Sequence, residues 1–325
     1  MGNNEVKIVL WGIGNHANNN LIPAIHSSKR SNLYGCLTRN KDKLNQISEN
    51  YKCKLWDNYQ DMLNDPNIDA VFLSTPPALH YDQGMQILES GKHLFCEKPL
   101  TSNLELTIQL LRYAEKNNLA VCEGLMYQYH PQFSELRDLL LSNEVINIKT
   151  ISSSFGIPKL SEPGYRTRKE LGASCLFDVG IYPVSLIQSF FGNENIEIIS
   201  VKKILNENNE FDISGTAHLV INSRINCFID WGYNVSYRNE IDIWAENISL
   251  YSDRIFSKNK EYNPSIEIRD SNGNSSVRKI QAENHFKLMI EYFVEVIGSQ
   301  EKIKDIHASA LDLSKLMNNI NKKLL

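Results

Sequence analysis

The chain has 325 residues, more than one ordinary core holds, so two domains are expected. Hydrophobic residues make up 42% and charged residues 22%, the balance of a globular protein, and a net charge of −4 excludes the concentrated positive charge that nucleic acid or an anionic membrane surface requires. No uninterrupted apolar run approaches the ~20 residues of a bilayer span. The six cysteines are scattered without a C-x-x-C spacing and the N-terminus enters a strand with no secretory leader, which together predict reduced thiols and a cytoplasmic location.

The first third alternates strand and helix. Apolar strands are expected at Val6–Trp11, Leu33–Leu37, Ala70–Ser74, His93–Cys96 and Ala120–Cys122. Helical patterns fall between them at Asn20–Ser28, Lys41–Tyr51, Tyr59–Leu63, Tyr81–Ser90 and Leu104–Lys116, the fourth stopped by Gly91. Repeated β-α-β order with short connections predicts a doubly wound parallel sheet over residues 1–123. Beyond this the rhythm changes. A helix at Pro131–Leu141 leads into strands at Ile146–Phe155, Ile196–Leu205, Ile213–Ile221, Arg224–Trp231 and Glu240–Leu250, with a helix at Val179–Phe191 between the first two. Turn residues such as Asn222-Ser223 favour antiparallel hairpins, and Asn272–Ser276 reads as a turn. Helices close the chain at Glu283–Ile297 and Ala308–Leu325. The fold class is therefore α/β in residues 1–123, followed over residues 124–325 by an α+β domain with a large, mostly antiparallel sheet.

Gly12-Ile13-Gly14-Asn15-His16-Ala17 follows the first strand and opens the first helix, the setting in which G-x-G-x-x-G/A carries meaning. Gly12 permits the tight turn, Gly14 lets the backbone approach a pyrophosphate at a helix N-terminus, and Ala17 keeps helix and strand close. This is the fingerprint of a Rossmann nicotinamide-nucleotide site. His16 is either a surface or capping histidine or a contact to cofactor phosphate. The second strand ends in Leu37-Thr38-Arg39-Asn40, where an NAD site usually carries a carboxylate for the ribose hydroxyls. Thr38 can instead hydrogen-bond a 2′-phosphate and Arg39 can pair with it, so NADP(H) is favoured over NAD(H). The alternative is a solvated Arg39 with Asp42 turned inward.

Four further segments share an order with a known family. They are Ser74-Thr75-Pro76-Pro77-Ala78-Leu79-His80, Cys96-Glu97-Lys98-Pro99-Leu100, Glu123-Gly124-Leu125-Met126-Tyr127-Gln128-Tyr129-His130-Pro131, and Leu171-Gly172-Ala173-Ser174-Cys175-Leu176-Phe177-Asp178-Val179-Gly180-Ile181-Tyr182-Pro183. Together they resemble the glucose–fructose oxidoreductase and myo-inositol dehydrogenase family over nearly the whole chain. The resemblance implies that Thr75, Pro76 and Glu97 border the cofactor and that Lys98-Pro99 is the catalytic turn, often with a cis peptide. His80 either lies close to cofactor or substrate or caps the Tyr81 helix. The resemblance also assigns Tyr182 to the acid/base position, with Asp178 four residues before it and on the same helical face. It further implies substrate contacts from Tyr165 and Arg166, and a homodimer or homotetramer formed through the C-terminal sheet. The inositol-type pattern has Asp three residues after the acid/base; here that place is Ser185, which favours the tyrosine branch over an inositol substrate.

The chemistry is also readable without the resemblance. Hydride exchange between a carbinol carbon and nicotinamide needs a group that takes or supplies the hydroxyl proton. A lysine at a strand end facing the cofactor crevice can polarise that oxygen, although a strand-end lysine can also be a solvated charge, Tyr182 can be core, and Asp178 can be an N-cap. No cluster of histidine, cysteine and carboxylate has metal-ligand spacing, so no catalytic metal is expected. The leading reading is an NADP(H)-dependent dehydrogenase or ketoreductase of a sugar or nucleotide-linked sugar. The others are a dehydrogenase of a non-sugar diol or other carbonyl, and a nucleotide-binding sensor without turnover.

Overall fold

The computed structural model describes residues 5–38, 47, 49–142, 144–193 and 195–323, divided between two compact units. Met1–Leu125 and Phe286–Leu311 form the first; Met126–His285 and Asp312–Leu325 form the second.

In the first unit, β1 (Val6–Trp11), β2 (Ser31–Leu37), β3 (Lys54–Trp56), β4 (Ala70–Leu73), β5 (His93–Glu97) and β6 (Val121–Gly124) form one parallel sheet, ordered β3-β2-β1-β4-β5-β6. The order reverses at β1, so the crevice beyond the ends of β1 and β4 is the switch point where such sheets bind ligands. The strands β1, β4 and β5 are almost wholly buried because helices cover both faces. These helices include α1 (Ile22–Ser27), reached through a wide turn at Ala17–Leu21, then α2 (Tyr59–Leu63), α3 (His80–Glu89) and α4 (Leu104–Lys116). Asn58 and Asn103 cap α2 and α4, each side chain accepting backbone N–H groups of the first turn. The helix expected over Lys41–Tyr51 lies largely outside the described residues.

The division of the chain into units differs from the sequence expectation at one segment. The sequence pattern assigns residues 124–325 to the second domain, whereas residues 286–311 group with the first unit. They come from α7 (His285–Ile297) and the start of α8 (Gln300–Lys322). The reason is packing: Phe293 of α7 lies 4.6 Å from Phe95, which lies 4.3 Å from Phe72, and the His307 ring of α8 accepts the Val121 N–H at 3.1 Å.

The second unit is an eight-stranded sheet in the order β14-β13-β12-β11-β7-β10-β9-β8. Its strands are β7 (Thr150–Ile157), β8 (Ile196–Leu205), β9 (Asp212–Ile221), β10 (Ile225–Tyr233), β11 (Arg238–Trp244), β12 (Ile248–Asp253), β13 (Ser265–Asp270) and β14 (Ser275–Lys279). Only the central β7–β10 pair is parallel. The single strand expected at Glu240–Leu250 is two, because Ala245 N–H bonds the Ile248 carbonyl at 2.9 Å and closes a hairpin. β7 starts at Thr150, not Ile146, since Asn147 takes a φ of 50° that no strand accommodates. Helices α5 (Pro131–Leu141) and α6 (Ile181–Phe191) belong to this unit. The segment Lys169–Phe191 has the length and apolarity of a membrane span by composition alone, yet most of it is buried inside the unit, as a core helix is.

Candidate active site

The glycine loop leaves the end of β1. Gly12 has a φ of 94°, and a Cβ there would lie 2.7 Å from both the Ser74 carbonyl oxygen and the Thr75 methyl, so only glycine fits. A Cβ on Gly14 would meet nothing within 4 Å, so the backbone stands open on the side that a pyrophosphate approaches. Asn15 and His16 are exposed, while Ala17 is buried against the sheet. This cradle fits a dinucleotide. Thr38 stands half-buried at the end of β2; Arg39 lies outside the described residues.

The loop is tied to the Lys98 turn. His16 Nε2 lies 3.2 Å from Glu97 Oε1, its Nδ1 lies 3.2 Å from Asn20 Nδ2, and its ring meets Phe286 edge-on. With a proton on Nε2 and none on Nδ1, the ring donates to Glu97 and accepts from the Asn20 amide. Burial works against charge on Glu97, but His16, Lys98 and His80 hold it below the ordinary glutamate range. The Lys98–Pro99 bond is cis. His80 is buried beneath this turn, with Nδ1 2.7 Å from the Pro99 carbonyl and Nε2 2.8 Å from the Thr75 carbonyl. It thus staples the Thr75-Pro76 turn to the Lys98-Pro99 turn. Burial lowers its proton affinity, against the pull of the two carbonyls and Glu97.

In the second unit, Asp178 is not an N-cap. It sits in the wide turn Leu176–Gly180 that enters α6, and its carboxylate accepts from Tyr165 Oη at 2.8 Å, Tyr233 Oη at 2.9 Å and both Nε and Nη2 of Arg166. Burial disfavours charge on Arg166, and the Asp178 carboxylate more than restores it. A carboxylate so occupied orients its neighbours; it has little capacity left to carry a proton. Asp212 fixes the turn from below, accepting from Ser174 Oγ at 2.6 Å, Leu176 N–H at 2.7 Å and Trp231 Nε1 at 3.0 Å. Tyr182 follows on α6, 6% exposed, among the rings of Tyr127, Phe155 and Phe256, with its hydroxyl toward Met126 Sδ at 3.6 Å.

The first unit therefore brings together Gly12, Gly14, His16, Thr75, His80, Glu97 and Lys98, and the second brings together Tyr165, Arg166 and Asp178. Sequence reasoning missed Tyr233 and Asp212, whose strands gave no hint of a polar interior. It also gave no role to Glu123, although Val121-Cys122-Glu123 repeats the pattern of Phe95-Cys96-Glu97, an apolar strand ending in a carboxylate.

Two family models match the chain: an oxidoreductase family with an NAD-binding Rossmann fold over residues 6–125, and the GFO/IDH/MocA C-terminal domain over residues 133–251. The chain belongs to the GFO/IDH/MocA family of oxidoreductases. Among its relatives, a dTDP-3,4-didehydro-2,6-dideoxy-alpha-D-glucose 3-reductase of Saccharopolyspora spinosa is 26% identical over 300 residues, covering 92% of this chain and 90% of that one. A trans-1,2-dihydrobenzene-1,2-diol dehydrogenase of Xenopus tropicalis is 29% identical over 170 residues, 52% of this chain and 51% of that one. The same fold is seen in a 3-ketoreductase of Actinomadura kijaniata in complex with NADP and TDP-benzene, with a TM-score of 0.93, 22% identity and 98% of each chain covered. Structures of that ketoreductase also exist with one lysine replaced by alanine or glutamate and with one tyrosine replaced by phenylalanine.

Proposed function

We propose that this family member is an NADP(H)-dependent ketoreductase or dehydrogenase acting on a hydroxyl or ketone of a sugar, in particular a nucleotide-linked sugar. Lys98 and Tyr182 form its acid–base pair and Asp178 orients it. The observation that carries this reading is a spacing: Lys98 and Tyr182 are separated by the same number of residues as the lysine and tyrosine replaced in the Actinomadura ketoreductase. The 3-reductase relatives, matched over most of both chains, support a nucleotide-linked sugar as substrate. Thr38 and Arg39 in place of a carboxylate support NADP(H), as does the NADP held by that ketoreductase.

Gly12, Gly14 and Asn15 would hold the pyrophosphate, Thr38 and Arg39 the 2′-phosphate, and Thr75, Pro76 and Glu97 the nicotinamide end. When bound, the nicotinamide supplies or accepts the hydride. The Lys98 ammonium stabilises negative charge on the substrate oxygen, and the Tyr182 hydroxyl gives or takes its proton. Tyr165 and Arg166, locked to Asp178, contact the sugar hydroxyls.

The test is NADPH and NADH consumption against keto-sugars with and without a nucleoside diphosphate, with trans-dihydrodiols and NADP+ as a further arm. The greatest turnover is expected with NADPH and a nucleotide-linked ketone, and Arg39→Asp should reverse the cofactor order. Tyr182→Phe should lower turnover by ~10²–10⁴-fold with NADPH affinity retained, and Lys98→Met by at least as much. Near-normal turnover in Tyr182→Phe would move the proton to another residue. Turnover of the diols alone would transfer the reading to the dihydrodiol branch. NADPH binding without turnover of any compound would leave a sensor.

A further inference from the structure

Two carboxylates border the Lys98 turn, and their surroundings differ. Glu97 ends β5 beside His16. Glu123 lies on the neighbouring strand, where β6 pairs Cys96 with Glu123 and Glu97 with Gly124. The Glu123 carboxylate reaches under the turn and accepts the Leu100 N–H at 2.7 Å, two residues after Lys98. Nothing in the proposed chemistry uses it.

We propose that Glu123 is a positioning residue for Lys98: it holds the turn through Leu100 and, by gaining or losing a proton, sets how much of the Lys98 charge remains for the substrate oxygen. This rests on the reading of Lys98 as the acid–base lysine. Glu97 has the Lys98 charge beside it and an imidazole partner, His16, at hydrogen-bond distance, and stays ionised. Glu123 has one amide and Lys98 in its favour, with burial and the Glu97 charge against it. Burial, the largest influence, pushes its carboxyl up to about 7. The other groups bearing on it are few. Cys96, across the strand pair, is kept a thiol by burial and by the two carboxylates. His307, from α8, accepts the Val121 N–H and is itself pushed down by burial.

The sign follows from the charges. Below its midpoint Glu123 is neutral, still accepts the Leu100 N–H through its carbonyl oxygen, and leaves the Lys98 charge unopposed. Above the midpoint the carboxylate offsets that charge. Coupling is reciprocal, so removing the lysine charge must make Glu123 harder to ionise, and removing the Glu97 charge must make it easier.

The experiment uses the full chain, carboxyl-labelled with [5-¹³C]glutamate, and needs no substrate. The Glu123 resonance, identified by its loss in Glu123→Gln, should titrate near neutrality. Its midpoint should rise by about half a unit or more in Lys98→Met and fall in Glu97→Gln. In parallel, the pH profile of Lys98 acylation by a small anhydride, read by mass spectrometry, should show an inflection at that midpoint that Glu123→Gln abolishes. A midpoint near the ordinary glutamate value of about 4.3, or one unmoved in Lys98→Met, overturns the proposal. So does an acylation profile unchanged in Glu123→Gln. If Glu123→Gln does not fold, the Lys98→Met and Glu97→Gln shifts of the remaining titrating resonance still decide. Because no turnover is measured, failure here is separate from failure of the substrate reading, which the Tyr182→Phe assay tests.

Discussion

The two loop glycines make opposite demands. At Gly12 a methyl group would collide with the Ser74 carbonyl and the Thr75 methyl in a backbone conformation that L-residues avoid. Gly12→Ala is expected to cost about 1–3 kcal/mol of stability before any ligand is added. At Gly14 the methyl meets nothing, so Gly14→Ala should leave the unfolding transition in place and weaken NADPH binding, because the methyl enters the approach to the pyrophosphate. Thermal unfolding and NADPH fluorescence titration on both variants separate the two effects. Equal loss of stability in both would mean that Gly14 has a structural duty. The fingerprint alone could assign these roles, because a glycine pattern reports on backbone. It could not find Tyr233 or Asp212, which reach the Asp178 turn from strands distant in sequence, and their spacing carries no period.

Elements were legible to the degree that their burial is one-sided or complete. The apolar strands β1, β4 and β5 and the capped helix α4 stand out in the sequence because they are buried cores or amphipathic. β3 has three residues and β14, at the sheet edge, mixes charged and polar residues, so neither length nor alternation marked them, whereas β13 does alternate, Ile266 and Ile268 against Glu267 and Arg269, but over six residues only. The return of α7 and the start of α8 to the first unit was hidden for another reason: an amphipathic helix shows that it packs, not on what. His307 gives this docking a pH dependence. Its ring is neutral in the fold, pushed by burial from 6.5 down to about 4, and accepts the Val121 N–H. The unfolded chain takes up its proton first as pH falls, so the stability from this contact is complete above about 6.5 and is lost progressively toward about 4. Between about pH 7.5 and pH 5 the loss is roughly 2 kcal/mol. His307→Gln keeps a possible acceptor and cannot titrate, so its stability should fall less over that interval. Urea midpoints at the two pH values check this; parallel losses in both proteins would mean that His307 docks without titrating.

For the molecule as a whole, the second unit's sheet poses a question of cover. Along β7, β10 and β11 the buried residues Ile151, Cys227, Ile229, Ile241 and Ile243 alternate with residues on the other face. The strand registers align that other face into rows: His218, Phe228, Ser152, Asp242 and Tyr251, and beside them Val220, Asn226, Thr150, Trp244 and Ser249. Phe228 is 40% and Trp244 61% exposed, and His218 stacks on Phe228 at 4.7 Å. We propose that a second copy of this chain covers these rows. They carry aromatic rings among small polar residues and, in Asp242, one carboxylate whose proton affinity burial and Glu240 raise, a composition that can face itself across a two-fold axis. The two rows alone cover roughly 200 Å²; taken over the full strands, five at about 4.8 Å spacing and about eight residues at 3.3 Å, the same face reaches on the order of 600 Å² per copy and adds the row Thr216, Asp230, Ser154, Glu240 and Asp253. That approaches the ~800 Å² per partner of a standard stable interface and exceeds an ordinary lattice contact. Phe228→Glu with Trp244→Glu would set new carboxylates beside Asp242 on both sides of the axis, where like charges repel. Sedimentation velocity should find the wild-type chain as a dimer or tetramer and the double variant as a monomer that still binds NADPH. A wild-type monomer at tens of micromolar, an affinity scale that such an interface surpasses, would leave the face to solvent. A double variant that stays associated would place the interface elsewhere.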